Sequence, residues 1–242
     1  MSAPLRPIAL FDFDGTLLPW DTQKLFCHHV LQRHPSRRWY LPLFAALLPF
    51  APILGAEGMK RVFLSFLWGM KQQEVEELAH GFAAQWVPST IWPEMLAILQ
   101  EHKERGDLTV LISASPEPYI AEIGRILGFD LTLGTQMEFP AGGLPLFPDL
   151  INNKGWAKVE RLRKVLDSSY FSGDQLHHAH GYTDSTADLP MLTLCQEATV
   201  VNPSPRLREI AGQNGWRILS LPRPWKNKLH RYWQRLKYVS GC

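Results

Sequence analysis

Short apolar runs separated by long stretches of helical periodicity are the feature that most constrains the fold of this chain. The runs comprise residues 8–13, 108–112 and 198–201, and a further strand is predicted over residues 175–182. Runs this short are typical of strands that are buried on both faces of a sheet. Apolar side chains recur at helical spacing from residue 17 to about 88, and further helices are predicted over residues 93–106, 117–127 and 153–166. Strands that alternate with helices favour a parallel α/β sheet.

The long helical stretch after the first strand predicts a cap inserted into the α/β core. We therefore predict a core from residues 1–16 and 89–222, a helical cap from residues 17–88, and a C-terminal tail from residues 223–242. Residues 132–139 and 144–147 are separated by a segment that contains two glycines. Their pattern resembles a β-hairpin.

Composition places the chain among folded proteins. Of its 242 residues, 45% are apolar and 20% are charged, which suffices for a packed core and excludes wholesale disorder. Its three cysteines, Cys27, Cys195 and Cys242, are far apart and form neither a disulfide framework nor a paired-thiol zinc signature. This pattern favours a reducing compartment. The first apolar run is too short for a signal peptide, so we predict a cytoplasmic protein.

Two aspartates, Asp12 and Asp14, lie two residues apart at the end of the first predicted strand. Residues at this spacing share one face of a strand, so both carboxylates can project into one pocket. Two carboxylates this close repel each other unless a cation lies between them. A divalent ion that prefers oxygen ligands, most simply Mg²⁺, removes this repulsion. Gly15 then lets the backbone turn and approach a ligand closely.

Later segments supply groups that suit a phosphate or complete a metal site. Ser113 and Ala114 follow the second strand and present small donors. Lys154 opens a predicted helix and supplies a fixed positive charge. Asp184 could complete the metal shell, and Asp188 could orient Lys154 or a metal-bound water.

Four motifs occur in a fixed order: Asp12-x-Asp14-Gly15-Thr16, Ser113, Lys154 and Asp184-x-x-x-Asp188. This set resembles the haloacid dehalogenase superfamily of phosphatases. The helical cap between the first two motifs is similar to that of its subclass IB. The resemblance implies a Rossmann-like α/β core under a helical cap, and Mg²⁺-dependent hydrolysis of a phosphomonoester.

The resemblance also implies a role for each matched residue. Asp12 would be the nucleophile that forms an aspartyl-phosphate, and Asp14 would protonate the leaving alcohol and then activate water. Mg²⁺ would be held by Asp12, the backbone carbonyl of Asp14, and Asp184. Ser113 and Lys154 would bind the transferring phosphoryl group. The intact motifs argue against a regulatory protein built on an inactive phosphatase fold.

The substrate is indicated by finer similarities within the subclass. Phosphoserine phosphatases typically have Ser-Gly-Gly at the second motif and Glu at the position of Asp21. The sequence is more similar to the phosphatidylglycerophosphatase C type, as judged by Leu67-Trp68-Gly69, Ser115-Pro116-x-Pro118 and Gly181-Tyr182-x-Asp184-Ser185. We therefore predict a lipid phosphate such as phosphatidylglycerophosphate, with a soluble ester such as phosphoserine as the alternative. The candidate substrate contacts are Thr16, Asp21 and Lys60.

An uncharged apolar segment, residues 39–56, lies inside the predicted cap. As one helix it would span about 27 Å, near the lower limit for crossing a bilayer. Its three prolines argue against one straight helix. Two interpretations remain open: a bent segment that dips into a membrane from the cytoplasmic side, and a helical pair buried in the cap.

The net charge of +2 conceals a basic C-terminal tail. Residues 223–242 carry six basic side chains and no acid, whereas the first 222 residues carry 19 basic and 23 acidic ones. Leu229, Tyr232, Trp233 and Leu236 recur at helical spacing within the tail. This pattern predicts either an amphipathic helix on an anionic membrane surface or a terminal helix packed on the core. The acidic body argues against a nucleic-acid partner.

Overall fold

The computed structural model describes residues 5–227, 229–230 and 232–234. Its strands are β1 Ile8–Phe11, β2 Leu108–Pro116, β3 Leu131–Met137, β4 Leu150–Ile151, β5 Phe171–Ser172, β6 Gln175–Leu176, β7 Ala179–Thr183, β8 Glu197–Val201 and β9 Arg217–Leu219. Its α-helices are α1 Thr22–Arg33, α2 Tyr40–Leu47, α3 Ala51–Phe63, α4 Gln72–Thr90, α5 Pro93–Glu104, α6 Glu117–Leu127, α7 Trp156–Val165, α8 Leu189–Leu192 and α9 Pro205–Gln213. Short 3₁₀ segments occur at Pro35–Trp39, Leu48–Phe50, Leu64–Leu67, Ser168–Tyr170 and Thr186–Asp188.

The main sheet has the strand order β4-β3-β2-β1-β7-β8-β9. All its neighbouring strands are parallel except β3 and β4, which pair antiparallel. In the central register, Phe11 of β1 lies beside Leu111 of β2 and Tyr182 of β7. The predicted parallel α/β core is therefore confirmed, and the residues that follow these three strands emerge at one edge of the sheet.

The central strand β1 is buried on both faces, as its run of apolar residues predicts. Ile8 and Leu10 belong to an apolar cluster on one side of the sheet, and Ala9 and Phe11 belong to a second cluster. This alternation follows the two-residue period of a strand. Both faces of β1 therefore pack against apolar side chains, which fixes its register and with it the position of Asp12.

Helices α1 to α4 lie between β1 and α5 in sequence, and we refer to them as the cap helices. Asp21 caps α1, where its side chain accepts a hydrogen bond from the Lys24 amide. Phe26 of α1 and Phe82 of α4 pack on Tyr119 of α6, with ring centroids 4.9 and 5.4 Å apart. The apolar cluster under one face of the sheet thus continues into the cap helices. The residue boundaries given above for core, cap and tail stay a prediction.

The apolar segment 39–56 lies at the surface of the folded chain. It forms α2, a 3₁₀ turn and the first part of α3, with a break at Gly55, where φ is 66°. Only Tyr40 of these residues is buried. The run Pro35–Leu67 meets the length and composition of a membrane span, a test that core helices and signal sequences can also pass. The interpretation of this segment as a buried helical pair is wrong.

The predicted hairpin of residues 132–139 and 144–147 is also wrong. β3 pairs instead with β4, at residues 150–151. Leu144 is buried, donates its amide to the Met70 carbonyl and accepts the Gly69 amide. The burial of Leu144 against the cap, together with these backbone hydrogen bonds, takes its segment away from β3.

Two further element boundaries differ from the sequence prediction because of backbone conformation. The helix predicted over residues 153–166 begins only at Trp156, since Gly155 at its N-cap has φ of 61°. The strand predicted over residues 175–182 is divided into β6 and β7, since His178 between them has φ of 45°. A left-handed residue interrupts both helix and strand geometry. Helix α9 and strand β9 were not predicted.

Candidate active site

Polar side chains from three neighbouring strands meet at the carboxyl edge of the sheet. Asp12 follows β1, Ser113 lies within β2 near its end, and Asp184 follows β7. All three line one cavity of about 320 Å³ together with Asp14 and Lys154. The structure therefore brings together the residues that the four sequence motifs singled out, at the edge where open α/β sheets bind ligands.

The strongest interaction in the cavity is a buried ion-pair triad that the sequence analysis missed. The Lys158 ammonium lies 2.7 Å from Asp12 Oδ1 and 2.8 Å from Asp188 Oδ1, and its side chain is 1% exposed. Burial opposes the charged form of Lys158, but the two carboxylates outweigh this effect and raise its pKa above the ordinary value. Thr16 completes the arrangement by donating its hydroxyl to Asp12 Oδ2 at 3.0 Å. Thr16 thus orients Asp12.

The prediction that Asp188 orients Lys154 is corrected by this triad. Asp188 pairs with Lys158, and its second oxygen accepts the Thr183 hydroxyl at 2.7 Å. Lys154 precedes α7, is exposed, and has no carboxylate partner among the residues that the structure describes. Because α7 starts at Trp156, Lys158 lies in the first turn of the helix, on its buried face.

A sequence signal for Lys158 was present in the pattern of α7. Val159 and Leu162 are the buried apolar residues of this helix, and Lys158 is in phase with them. A charged residue on the apolar face of a helix is almost never buried without a partner. The spacing therefore indicates that Lys158 faces acidic groups. The motif comparison pointed to Lys154 and gave no signal for Lys158.

Asp14 is held by donors from the start of the cap. Its Oδ1 accepts the amide and the hydroxyl of Thr22, each at 2.6 Å, and its Oδ2 accepts the Ser115 hydroxyl. Burial, and next the nearby Asp21 carboxylate, raise the pKa of Asp14 to about 6. A carboxyl group with this pKa can exist in both protonation states near neutral pH, as an acid–base group requires. Thr22 and Ser115 were not among the predicted site residues.

The segment after β2 is fixed by hydrogen bonds within the core and from the cap. Ser113 is buried, and its hydroxyl accepts the Ser115 amide at 3.0 Å. The Ala114 carbonyl accepts hydrogen bonds from Lys60 of α3 and from Thr135 of β3. The contribution of Ala114 to phosphate binding stays a prediction.

Two predicted substrate contacts, Lys60 and Asp21, have partners within the protein. The Lys60 ammonium donates to Thr135 and to Asn152, both at 2.8 Å, and so ties the cap to the core. Burial lowers the pKa of Lys60 to about 8. Asp21 is ion-paired with Lys24. Both predicted contacts line a second cavity of about 260 Å³ beside the cap helices, and Asp21 also lines the main one.

The carboxylates around Asp184 fit a hard divalent cation. Burial, and next the Asp12 carboxylate, raise the pKa of Asp184 to about 8, so negative charge is in excess here. A side chain at residue 15 would place its Cβ 2.2 Å from Asp184 Oδ2, so glycine is required for this approach. No group of three His, Cys, Asp or Glu side chains within the described ranges could alone surround a metal. The predicted ligands, two carboxylates and the Asp14 carbonyl, do not require such a group.

We expect Mg²⁺ to raise the melting temperature more at pH 8 than at pH 5. The folded chain holds a proton on Asp184 that the unfolded chain releases, so stability without metal falls as the pH rises from 3.8 to about 8. Metal binding requires ionised carboxylates, so its contribution grows over the same range. At 100-fold above Kd, binding adds about 2.7 kcal/mol, or roughly 5–10 °C for a protein of this size.

Thermal unfolding with and without saturating MgCl₂ at both pH values measures this effect. Asp184→Asn should abolish the increment, whereas Asp174→Asn, which changes an exposed carboxylate on β5–β6, should leave it intact. The assignment of Asp184 as a metal ligand would be contradicted if MgCl₂ raised the melting temperature equally at pH 5 and pH 8. It would also be contradicted if MgCl₂ still raised the melting temperature of Asp184→Asn.

Comparison with known proteins identifies the family to which this chain belongs. The model of the haloacid dehalogenase-like hydrolases matches residues 9–193. Phosphoserine phosphatase SerB1 of Mycobacterium tuberculosis is 30% identical over 223 residues, which cover 88% of this chain and 70% of that protein. A histidinol-phosphatase of Neisseria meningitidis serogroup C is 24% identical over 230 residues, covering 89% of this chain and 99% of that protein.

A solved structure shares the fold. It is a phospho-aspartyl intermediate analogue of a phosphoserine phosphatase, with a TM-score of 0.57 and 19% sequence identity. The match covers 98% of this chain and all of the other chain.

Proposed function

Since the chain belongs to the haloacid dehalogenase-like hydrolase family, we propose that it hydrolyses a small-metabolite phosphomonoester through a phosphate ester of Asp12. The observation that carries this proposal is the Asp12 carboxylate, which is buried, oriented by Lys158 and Thr16, and directed to the same cavity as Asp14. The predicted superfamily and phosphatase class are confirmed by the comparisons. The finer similarity to the phosphatidylglycerophosphatase C type stays a prediction.

Each of the two steps uses one of the paired aspartates. In the first, a carboxylate oxygen of Asp12 attacks phosphorus, the bond from phosphorus to the alcohol oxygen breaks, and protonated Asp14 gives its proton to that oxygen. In the second, Asp14 accepts a proton from a water molecule as the water attacks phosphorus, which releases inorganic phosphate and restores Asp12. The pKa of Asp14, raised to about 6 chiefly by burial, suits both directions of transfer.

Other groups of the site stabilise charge during these steps. Burial raises the pKa of Asp12 above its ordinary value, and the charge of Lys158 opposes this shift and favours the carboxylate. Asp188 holds Lys158 in place. Lys154 lines the cavity without a carboxylate partner in the described part of the chain, so its charge is available to the phosphoryl oxygens. Mg²⁺, which we propose as the cofactor, would be held by Asp12, the Asp14 carbonyl and Asp184, and supplies electrostatic stabilisation of the phosphoryl group.

The small-metabolite substrate is supported by the relatives. The protein from M. tuberculosis is named for phosphoserine and that from N. meningitidis for histidinol phosphate. A cytoplasmic location is part of the proposal. It agrees with Cys27 and Cys195, which are buried free thiols.

A lipid phosphate, cleaved at a membrane surface, is the second candidate substrate. The observation that favours it is an exposed apolar face on the cap, comprising Trp39, Leu48, Phe50, Ile53, Leu54 and Trp68. Ile53 is 84% exposed. Contiguous apolar patches of this kind mark interaction sites in soluble proteins, and aromatic side chains suit a membrane interface. Of the predicted tail, the structure describes residues 223–227, 229–230 and 232–234, so its membrane-binding helix stays a prediction.

A substrate screen with purified protein and Mg²⁺ tests both candidates. The small-metabolite proposal expects the highest kcat/KM for a soluble ester among phosphoserine, histidinol phosphate and common sugar phosphates. The lipid candidate expects phosphatidylglycerophosphate in anionic vesicles to exceed them all, and expects Ile53→Asp to lower turnover of the vesicle substrate alone. Failure to hydrolyse any phosphomonoester, p-nitrophenyl phosphate included, would refute the proposed function.

A further inference from the structure

One part of the main cavity has a lining that plays no part in the steps above. Three indole rings and one guanidinium group line it, those of Trp20, Trp92, Trp225 and Arg223. Trp20 follows the first motif, Trp92 follows α4, and the other two come from the chain that follows β9. The start of the basic tail is therefore part of the cavity that contains Asp12.

Hydrogen bonds fix this part of the tail against the core. The Leu221 amide donates to the side-chain oxygen of Asn202 at 3.0 Å, and the Trp92 indole donates to the Pro222 carbonyl at 2.9 Å. The rings of Trp20 and Trp225 meet edge to face with centroids 5.4 Å apart. Contacts on both sides of Arg223 thus hold the backbone from which its side chain projects.

The guanidinium group of Arg223 is positioned but not neutralised. One of its nitrogens donates to the Asn202 carbonyl at 3.0 Å, and its centre lies 5.9 Å from the Trp225 ring. No carboxylate within the described ranges forms an ion pair with it. A guanidinium has five N–H donors in a planar fork that matches carboxylate and phosphate oxygens. Most of these donors remain available at the mouth of the cavity.

The charges of the cavity are unevenly distributed. Lys158 is fully paired with Asp12 and Asp188. Lys154 and Arg223 line the cavity without a carboxylate partner among the described residues. Lys154 lies just before α7, whereas Arg223 lies beside Trp225 in the chain that follows β9. Two cations on different segments of one cavity suit a ligand with two anionic groups.

We propose that Arg223, placed by Asn202 and beside the ring of Trp225, binds a second anionic group on the leaving-group side of the substrate. This inference rests on the proposed phosphatase function. Its substrates are then phosphomonoesters whose alcohol carries a further phosphate, phosphodiester or carboxylate a few carbon atoms away. The second anion can belong to a free bisphosphate or to the phosphodiester of a lipid headgroup, since the chemistry that Arg223 recognises is the same.

Matched substrates isolate the contribution of Arg223. Propane-1,3-diol bisphosphate and 3-hydroxypropyl phosphate differ only in the second anionic group, and dihexanoyl phosphatidylglycerophosphate presents a phosphodiester in soluble form. For wild type, kcat/KM should be higher for the two doubly anionic esters than for 3-hydroxypropyl phosphate. Arg223→Gln should lower kcat/KM about 10-fold for a doubly anionic ester, mainly through KM, because a charge-assisted hydrogen bond is lost. The value for 3-hydroxypropyl phosphate should not change.

Two controls separate this role from a structural one. Arg206→Gln removes an exposed arginine of α9 that does not line the cavity, and it should alter neither substrate. Arg223→Lys keeps the charge and should recover part of the affinity for the doubly anionic esters. If Arg223 only fixes the chain to Asn202, Arg223→Gln will change both classes of ester alike, and the proposal is overturned.

A binding measurement keeps the subsite distinct from the phosphatase reaction. Calorimetric titration of Asp12→Asn with propane-1,3-diol bisphosphate should give a Kd about 10-fold lower than for the Asp12→Asn, Arg223→Gln double variant. If binding or hydrolysis of the bisphosphate or of the lipid ester depends on Arg223, the subsite is supported. The ester that shows this dependence identifies the source of the second anion. If the protein hydrolyses phosphomonoesters but shows no Arg223-dependent preference for the doubly anionic ones, the subsite alone is overturned. Absence of hydrolysis with Arg223-dependent binding overturns the proposed function alone.

Discussion

Asp12→Asn should abolish phosphatase turnover, with kcat reduced by roughly 10⁴-fold or more, as for other enzymes that lose their nucleophile. The asparagine amide matches the carboxylate in size and can still accept the hydroxyl of Thr16. It cannot form the phosphate ester, because the amide oxygen is a poor nucleophile. Lys158 keeps Asp188 as a partner, so the fold should persist.

The measurement is steady-state hydrolysis of p-nitrophenyl phosphate, together with mass spectrometry of the quenched protein and a thermal unfolding curve. Asp14→Asn is the matched variant, because it retains the nucleophile and lacks the acid–base group. Since p-nitrophenolate leaves without a proton, Asp14→Asn should accumulate a phosphorylated protein, whereas Asp12→Asn should show none. An Asp12→Asn protein that turns over normally, or that is still phosphorylated at residue 12, would contradict the nucleophile assignment.

Lys158→Met should reduce both stability and activity, whereas Lys154→Met should affect activity far less. Lys158 lies between two buried carboxylates, and removing one partner of a buried ion pair typically costs about 3–5 kcal/mol. Loss of the charge that opposes the effect of burial on Asp12 should lower kcat by roughly 10²–10³-fold. Lys154 is exposed, so its substitution should change stability by only about 0.5 kcal/mol.

Urea unfolding and kcat measured on both variants decide between the two lysines. Methionine preserves most of the side-chain volume, so the comparison reports charge and not packing. Because Lys158→Met can unfold the chain, Lys158→Arg provides a second comparison that keeps the charge with altered geometry. Relative to Lys158→Met, Lys158→Arg should recover more of the free energy of unfolding than of kcat. Normal kcat in Lys158→Met with loss of kcat in Lys154→Met would reverse the assignment that the ion-pair distances support.

The sequence predicted the parts of the site that depend on local order along the chain. Asp12, Ser113 and Asp184 each lie at or just after the end of a predicted strand, and the carboxyl ends of parallel strands lie at one edge of the sheet. The strand periodicity of residues 8–11 was equally informative, because only a fully buried strand has apolar side chains on both faces. These features require no knowledge of which residues meet across the fold.

The parts that the sequence did not predict depend on long-range contacts or on backbone conformation. The ion pair between Lys158 and Asp12 joins residues 146 positions apart and depends on where α7 begins, which the backbone of Gly155 determines. The expected hairpin failed because Leu144 packs against the cap, a contact across more than 70 residues of sequence. The proposed role of Arg223 could not be predicted, because the sequence pattern places this residue in a basic tail and does not show that it lines a cavity.

The packing of Phe26 and Phe82 on Tyr119 determines how the molecule can open. These rings belong to one apolar cluster that extends from the cap helices to the central strand of the sheet. Subglobal unfolding separates units that share few apolar contacts, and cap and sheet are not such units. Amide hydrogens of α4 should therefore exchange with the same free energy as those of β2, as one cooperative unit. Substrate entry would then rely on local motion of side chains that line the cavity, among them Trp20 and Arg223.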